Sequence, residues 1–155
     1  MRSLTCLLLV PLLSLASLAC DSDPSAPPDS GTVVLATDGG VDFATGLVHS
    51  PGTYVNSDLY ASPNGESGMK LTTGGPTIIV NRPVSWFKTG GGIATEFPDL
   101  ASVPVTPLPT TVDAMLHAKT SLGFLLETAA GDHVRGWIAN ATSSSVTIQW
   151  ERLAE

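Results

Sequence analysis

The sequence predicts an all-β fold: a single antiparallel sandwich or partly open barrel with at most one short helix. Three observations lead there. Gly, Pro, Ser and Thr recur every several residues, with 15 glycines and 12 prolines among 155 residues, and they cut the chain into short runs. Those runs are rich in Val, Ile, Tyr, Phe and Trp, side chains that suit a pleated, half-buried surface. Near the carboxyl end, Val146, Ile148 and Trp150 alternate with Thr147, Gln149 and Glu151, the period-two pattern of a strand with one buried and one wet face.

Taken in order, residues 33–37, the turn Asp38-Gly39-Gly40 and residues 41–43 predict an opening hairpin. Residues 54–61 and 69–72 flank Pro63-Asn64-Gly65, a turn-forming triplet, and predict a second hairpin. Two short strands, 77–80 and 84–88, are separated by Asn81-Arg82-Pro83. Pro83 has no N–H for a ladder and belongs at an edge or a turn. The one expected helix is 111–119, where Thr111 can cap the start and Val112, Met115 and Leu116 can share a face. Residues 123–128 and 133–139 flank Ala129-Ala130-Gly131-Asp132, with Gly131 free to take a left-handed backbone. With the alternating strand that follows, they predict a three-stranded meander.

Ahead of this domain lies a different composition. Arg2 supplies one positive charge, residues 4–18 are mostly Leu, and Leu15-Ala16-Ser17-Leu18-Ala19-Cys20 closes the run before Asp21-Ser22-Asp23-Pro24. A membrane-spanning helix needs about 20 apolar residues, and this run is shorter and broken by Pro11. It therefore reads as a removable secretory signal, residues 1–19. The segment Ser17-Leu18-Ala19-Cys20 resembles the processing site of bacterial lipoproteins, with Ser17 and Leu18 departing from that family's preferred Leu and small residue. The resemblance implies that Cys20 is lipidated: a thiol is a strong nucleophile for accepting a diacylglycerol group. Two or three acyl chains make such an anchor durable.

Cysteine usage agrees with that reading. Cys6 leaves with the signal, so Cys20 is the mature chain's one thiol, and neither a disulfide nor a cysteine-based metal site is expected. Residues 20–31 read as the lipidated cysteine and a tether. From 21 to 31 the chain has Asp, Ser, Pro, Ala and a closing Gly with no large apolar side chain, which cannot offset the entropy of ordering. Extended at about 3.1 Å per residue, it reaches roughly 34 Å. Residues 32–155 have the length of one ordinary domain.

Acidic residues outnumber Lys and Arg by 14 to 7. Nucleic acid is a poor partner for such a chain, because binding it draws on clustered cations that neutralise phosphates. The anchor makes a membrane the expected contact, with the domain on the non-cytoplasmic side of the bacterial cell envelope.

No catalytic constellation emerges. His49, His117 and His133 are far apart, and none has a second ligand at metal-site spacing. Gly65-Glu66-Ser67-Gly68 lacks the spacing of a nucleophile elbow. Thr89-Gly90-Gly91-Gly92 lacks the Lys of a phosphate loop, and Asp38 and Asp42 fall short of a calcium ligand set. Aromatic side chains are the remaining candidates. Trp86 and Phe87 are adjacent and on a strand point to opposite faces, while His133 shares a face with Arg135 and Trp137. Trp86, Phe87, His133 and Trp137 thus form the candidate ligand surface.

The stretch from Gly123-Phe124-Leu125-Leu126 through Gly131-Asp132-His133 to Gly136-Trp137-Ile138, with 146–153 after it, resembles the closing strands of HmuY-like lipoproteins. Val41-Asp42-Phe43-Ala44-Thr45-Gly46 and Ser57-Asp58-Leu59-Tyr60-Ala61 fall where that family has an opening strand and a Trp-Asp-containing one, though the tryptophan is absent here. The resemblance implies an exported, membrane-anchored, all-β protein, and some members bind haem through paired axial side chains. His49, His117, His133, Met69 and Met115 are the candidate ligands here, and none matches a motif of the family. The expectation is a non-enzymatic, lipid-anchored binding or interaction domain with no cofactor and an unknown protein or small-molecule partner. A haem or small apolar ligand is one alternative, and a structural envelope interaction protein is another.

Overall fold

A computed structural model describes residues 28–51, 57–65, 68–73, 84–86, 95–105 and 115–154. They form two five-stranded antiparallel sheets packed as an open sandwich, not closed into a barrel. The strands are β1 (Ser30–Ala36), β2 (Gly40–Asp42), β3 (Leu47–His49), β4 (Leu59–Pro63), β5 (Met69–Thr73), β6 (Val84–Trp86), β7 (Met115–His117), β8 (Gly123–Glu127), β9 (His133–Ala141) and β10 (Ser145–Arg152). The first sheet has the order β1-β10-β9-β8-β6 and the second β3-β2-β4-β5-β7.

The carboxyl-terminal meander forms as its pattern requires. Val146, Ile148 and Trp150 of β10 are buried while the residues between them stay half-exposed. In the β8–β9 turn Gly131 takes φ +93°. Along β9, Thr147 pairs with Asn140 but Ile148 pairs with Ile138. Ala139 is thus an extra residue, a bulge that keeps both strands' apolar sides facing inward.

The core lies between the sheets. Phe43 and Trp150 meet across it with ring centroids 5.1 Å apart, tilted by 59°, one of the geometries aromatic quadrupoles favour. Phe124 of β8 lies over Gly136 of β9. A Cβ at position 136 would be 2.1 Å from the ring's Cζ, so only glycine lets that ring lie flat on the sheet.

The second hairpin also forms, with β4 and β5 paired from Leu59↔Thr73 to Pro63↔Met69. Gly65 and Gly68 take φ +56° and +106° to turn the chain.

Two expectations are corrected. The opening hairpin does not exist: β1 pairs with β10 and β2 with β3 and β4, in different sheets. The turn between them moves the chain from one sheet to the other. Thr37 N–H donates to Ser144 O (3.1 Å) and Asp38 N–H to Ala61 O (2.8 Å). Asp38 takes φ 63° there, and its carboxylate accepts from the Tyr60 hydroxyl at 2.6 Å. The expected helix is the second correction. Its described part contains strand β7, paired with β5 through Lys70↔His117, Leu71↔Leu116 and Thr72↔Met115. Leu116 is buried while Met115 is 46% exposed, which suits strand alternation rather than a shared helical face, and the open edge of β5 offers its backbone a ladder.

Strand β3 and segment 95–105 had no counterpart in the sequence reading. The strand expected at 77–80 lies outside the described residues. The domain also takes in residues 28–31, inside the expected tether: Asp29 O accepts from Arg152 N–H at 2.6 Å.

Candidate functional site: a groove beside the strap

Every second residue of β8, β9 and β10 points away from the core. Register brings these residues into rows: Gly123, Trp137 and Gln149 in one, Leu125, Arg135 and Glu151 in the next. Thr32 and Ser30 of β1 continue the rows beside Gln149 and Glu151.

Segment 95–105 lies across this face as a strap. Glu96 bridges to Leu122, and Phe97 N–H donates to Ser121 O at 2.7 Å. Its middle is a single 3-10 turn, Leu100–Ser102. Asp99 caps that turn, its Oδ1 accepting from the Ser102 amide at 2.8 Å and the Ser102 hydroxyl at 2.7 Å. Those two donors, the hydroxyl first, hold the Asp99 carboxyl below its ordinary value, with the Arg135 charge adding a smaller contribution.

Side chains of β9 and the space over Gly123 also fix the strap to the sheet. Trp137 Nε1–H donates to Phe97 O at 3.0 Å. Arg135 Nη1 donates to Val103 O at 2.8 Å and Ala101 O at 3.3 Å, while its Nη2 pairs with Glu151 Oε1. Gly123 makes room: a Cβ there would be 2.7 Å from Val103 Cγ2 and 2.8 Å from Phe97 Cδ2. Val103 is fully buried against this outer face.

Between the strap and β1–β10 an open groove of about 400 Å³ remains, lined by Ser30, Gly31, Thr32, Leu100, Gln149, Trp150 and Glu151. Two hydroxyl side chains, an amide and a carboxylate border it, with Leu100 as an apolar wall. The Arg135 charge beside it is engaged by Glu151 and the strap carbonyls. Such a lining offers hydrogen bonds and little net attraction for ions, and it suits a neutral, polar ligand.

The structure distributes the candidate residues. His133 and Trp137 share the outer face of β9 with Arg135 between them, both half-buried. Trp137 turns its indole N–H to the strap, so its polar edge serves the fold. Trp86 sits on β6 opposite Phe124, and Phe87 lies outside the described residues.

The candidate haem ligands are scattered. His49 stands on β3 opposite Gly40, with Nε2 buried and unbonded. His117 and Met115 sit on one side of β7, and His117 Nδ1 is hydrogen-bonded to Asn64 Nδ2 at 2.6 Å. Met69 is buried in the core. Among the described residues no three His, Cys, Asp or Glu side chains gather into a metal site.

The groove residues Ser30, Thr32, Leu100, Gln149 and Glu151 went unmarked in the sequence. The alternation of β10 does signal that Gln149 and Glu151 face outward, but nothing local announces that a strap will land beside them.

The fold and groove define a two-sheet antiparallel sandwich with a strap over one face. No family model, curated protein or solved structure matches this chain.

Proposed function

We propose that this chain is an exported bacterial lipoprotein, anchored through Cys20, whose β-sandwich binds a partner or ligand at the cell envelope without catalysing a reaction. The carrying observation is the run Leu15–Cys20, with Cys20 as the mature chain's one thiol. A thiol directly after a signal in an oxidising compartment is uncommon unless it is modified. Entry of the chain into the domain at residues 28–30 is compatible with a tether from Cys20.

The groove beside the strap supports a binding role for a neutral, hydrogen-bonding ligand such as a saccharide or an extended peptide. The haem alternative has less geometric support, since the described His and Met side chains do not face one another across an apolar slot.

Mass spectrometry of the mature amino terminus tests the anchor. The expected product begins at Cys20 carrying a diacylglycerol group. An unmodified Cys20, or cleavage elsewhere, defeats the assignment. Thermal-shift titration with neutral saccharides and with haemin tests the ligand class. A saccharide shift that Gln149→Ala removes supports the groove, and a Soret shift with haemin returns the reading to haem.

A further inference from the structure

The chain has a single Asn-Gly pair, Asn64-Gly65, and it sits in the turn directly after β4. The side-chain amide carbon of an asparagine lies within reach of the next residue's backbone nitrogen, and closure gives a five-membered ring without a second molecule. Most side chains at that next position crowd the attack, and glycine, with no Cβ, does not. The surroundings of Gly65 are open as well: a Cβ built there meets nothing within 4 Å. Gly65 is exposed, and its N–H has no hydrogen-bond partner among the described residues. The attacking nitrogen is therefore not used in closing the turn, which Asn64 N–H does by donating to Gly68 O at 2.8 Å.

Strand β7 supplies the other half of the geometry. Its pairing with β5 sets His117 opposite Lys70, at the end of the sheet where the β4–β5 turn projects. Asn64 Nδ2 donates to His117 Nδ1 at 2.6 Å. Nδ2 is the atom that must leave when the ring closes. An amide nitrogen leaves poorly until it gains a proton, and imidazole is the side chain best suited to take up and release one near neutral pH.

We propose that Asn64-Gly65 is a self-modifying site, in which Gly65 N closes on Asn64 Cγ and His117 relays a proton to the departing nitrogen. The bond from Gly65 N to Cγ forms, and the bond from Cγ to Nδ2 breaks. The proton lost by Gly65 N ends on Nδ2, which leaves as ammonia. Water then opens the cyclic imide at either carbonyl, giving a carboxylate at position 64 in an ordinary or an isoaspartyl linkage. The turn gains one negative charge. Because ammonia is lost to solvent the change does not reverse, so the converted fraction records the age of the molecule.

Peptide mapping of the full chain by mass spectrometry, after incubation at neutral pH, tests the proposal. Aspartyl and isoaspartyl products are expected at position 64, while Asn140, which precedes Ala141, keeps its amide. His117→Ala should slow the conversion at least ~tenfold in the folded protein, and added imidazole should restore part of the rate. His117→Gln can still bond to Asn64 but relays no proton, so it should be equally slow, and it serves should the first variant fail to fold. In urea, where position 117 no longer stands beside the turn, parent and variants should convert at one rate. An intact Asn64 in the folded chain, variants that convert as fast as the parent or faster, or a rate difference that persists in urea overturn the proposal.

Discussion

The carboxylate of Asp58 accepts the backbone N–H of Ala129 at 2.8 Å, tying the approach to β4 in one sheet to the β8–β9 turn of the other. Its second oxygen accepts the Phe43 N–H at 2.9 Å, and the residue is buried. Two separate loops thus hang on one side chain: without it the Phe43 N–H is left unpaired in the core, while the N–H of exposed Ala129 can turn to water.

Asp58→Ala is expected to lower stability by about 1–3 kcal/mol, the cost of the one orphaned buried donor, the Phe43 N–H. Asp58→Asn should lose less, because its one carbonyl can serve one of the two donors. Urea denaturation measures both. Equal, sub-kilocalorie losses would place the inter-sheet connection elsewhere.

Gly136→Ala is expected to destabilise by about 1–3 kcal/mol through overpacking, as its new Cβ would run into the Phe124 ring. Combining it with Phe124→Leu should recover part of the loss, which makes the two changes non-additive. Strict additivity in the double-mutant cycle would refute ring contact as the cause.

Arg135→Ala removes the donors to Val103 O and Ala101 O and the partner of Glu151. The expected cost is about 1.5–3 kcal/mol, as for hydrogen bonds made by a charged group. Faster amide exchange confined to residues 95–105 is the diagnostic sign. Arg135→Lys should rescue poorly, because an ammonium lacks the planar fork that spans these acceptors. Unchanged exchange in the strap would show that its other contacts hold it without Arg135.

Asp99 gives the strap a pH dependence. Its carboxyl sits below the ordinary 3.8 because the Ser102 hydroxyl and then the Ser102 amide donate to it. A folded value under the unfolded one means the contribution is present above the unfolded value and lost as pH falls through the folded value. Exchange at the Ser102 and Val103 amides should therefore depart from its intrinsic pH dependence only in strongly acid solution. Asp99→Asn is expected to lack that step, and identical profiles for the two proteins would remove the cap from the account.

Side-chain alternation made much of the fold legible. Val146, Ile148 and Trp150 declared β10 because a period of two is a local property, and Gly131 declared its turn because few other residues accept a left-handed backbone. The turn after β4 was legible for similar reasons, although Pro63, expected in it, is the last residue of the strand and pairs with Met69. The same local logic misread residues 33–43, where a turn between two apolar runs resembles a hairpin whether the second strand stays in the sheet or crosses to the other. It misread Leu116 as well, since a three-residue strand is too short to display its period.

The sequence alone therefore determined an all-β domain and its closing meander, both written in neighbouring residues. Tertiary structure decided the two-sheet partition, the strap and the groove beside it. Those depend on pairs such as Asp58 with Ala129, Arg135 with Val103 and Phe124 with Gly136. Their energies arise only once distant segments exclude water together, and no local pattern encodes which segments will meet.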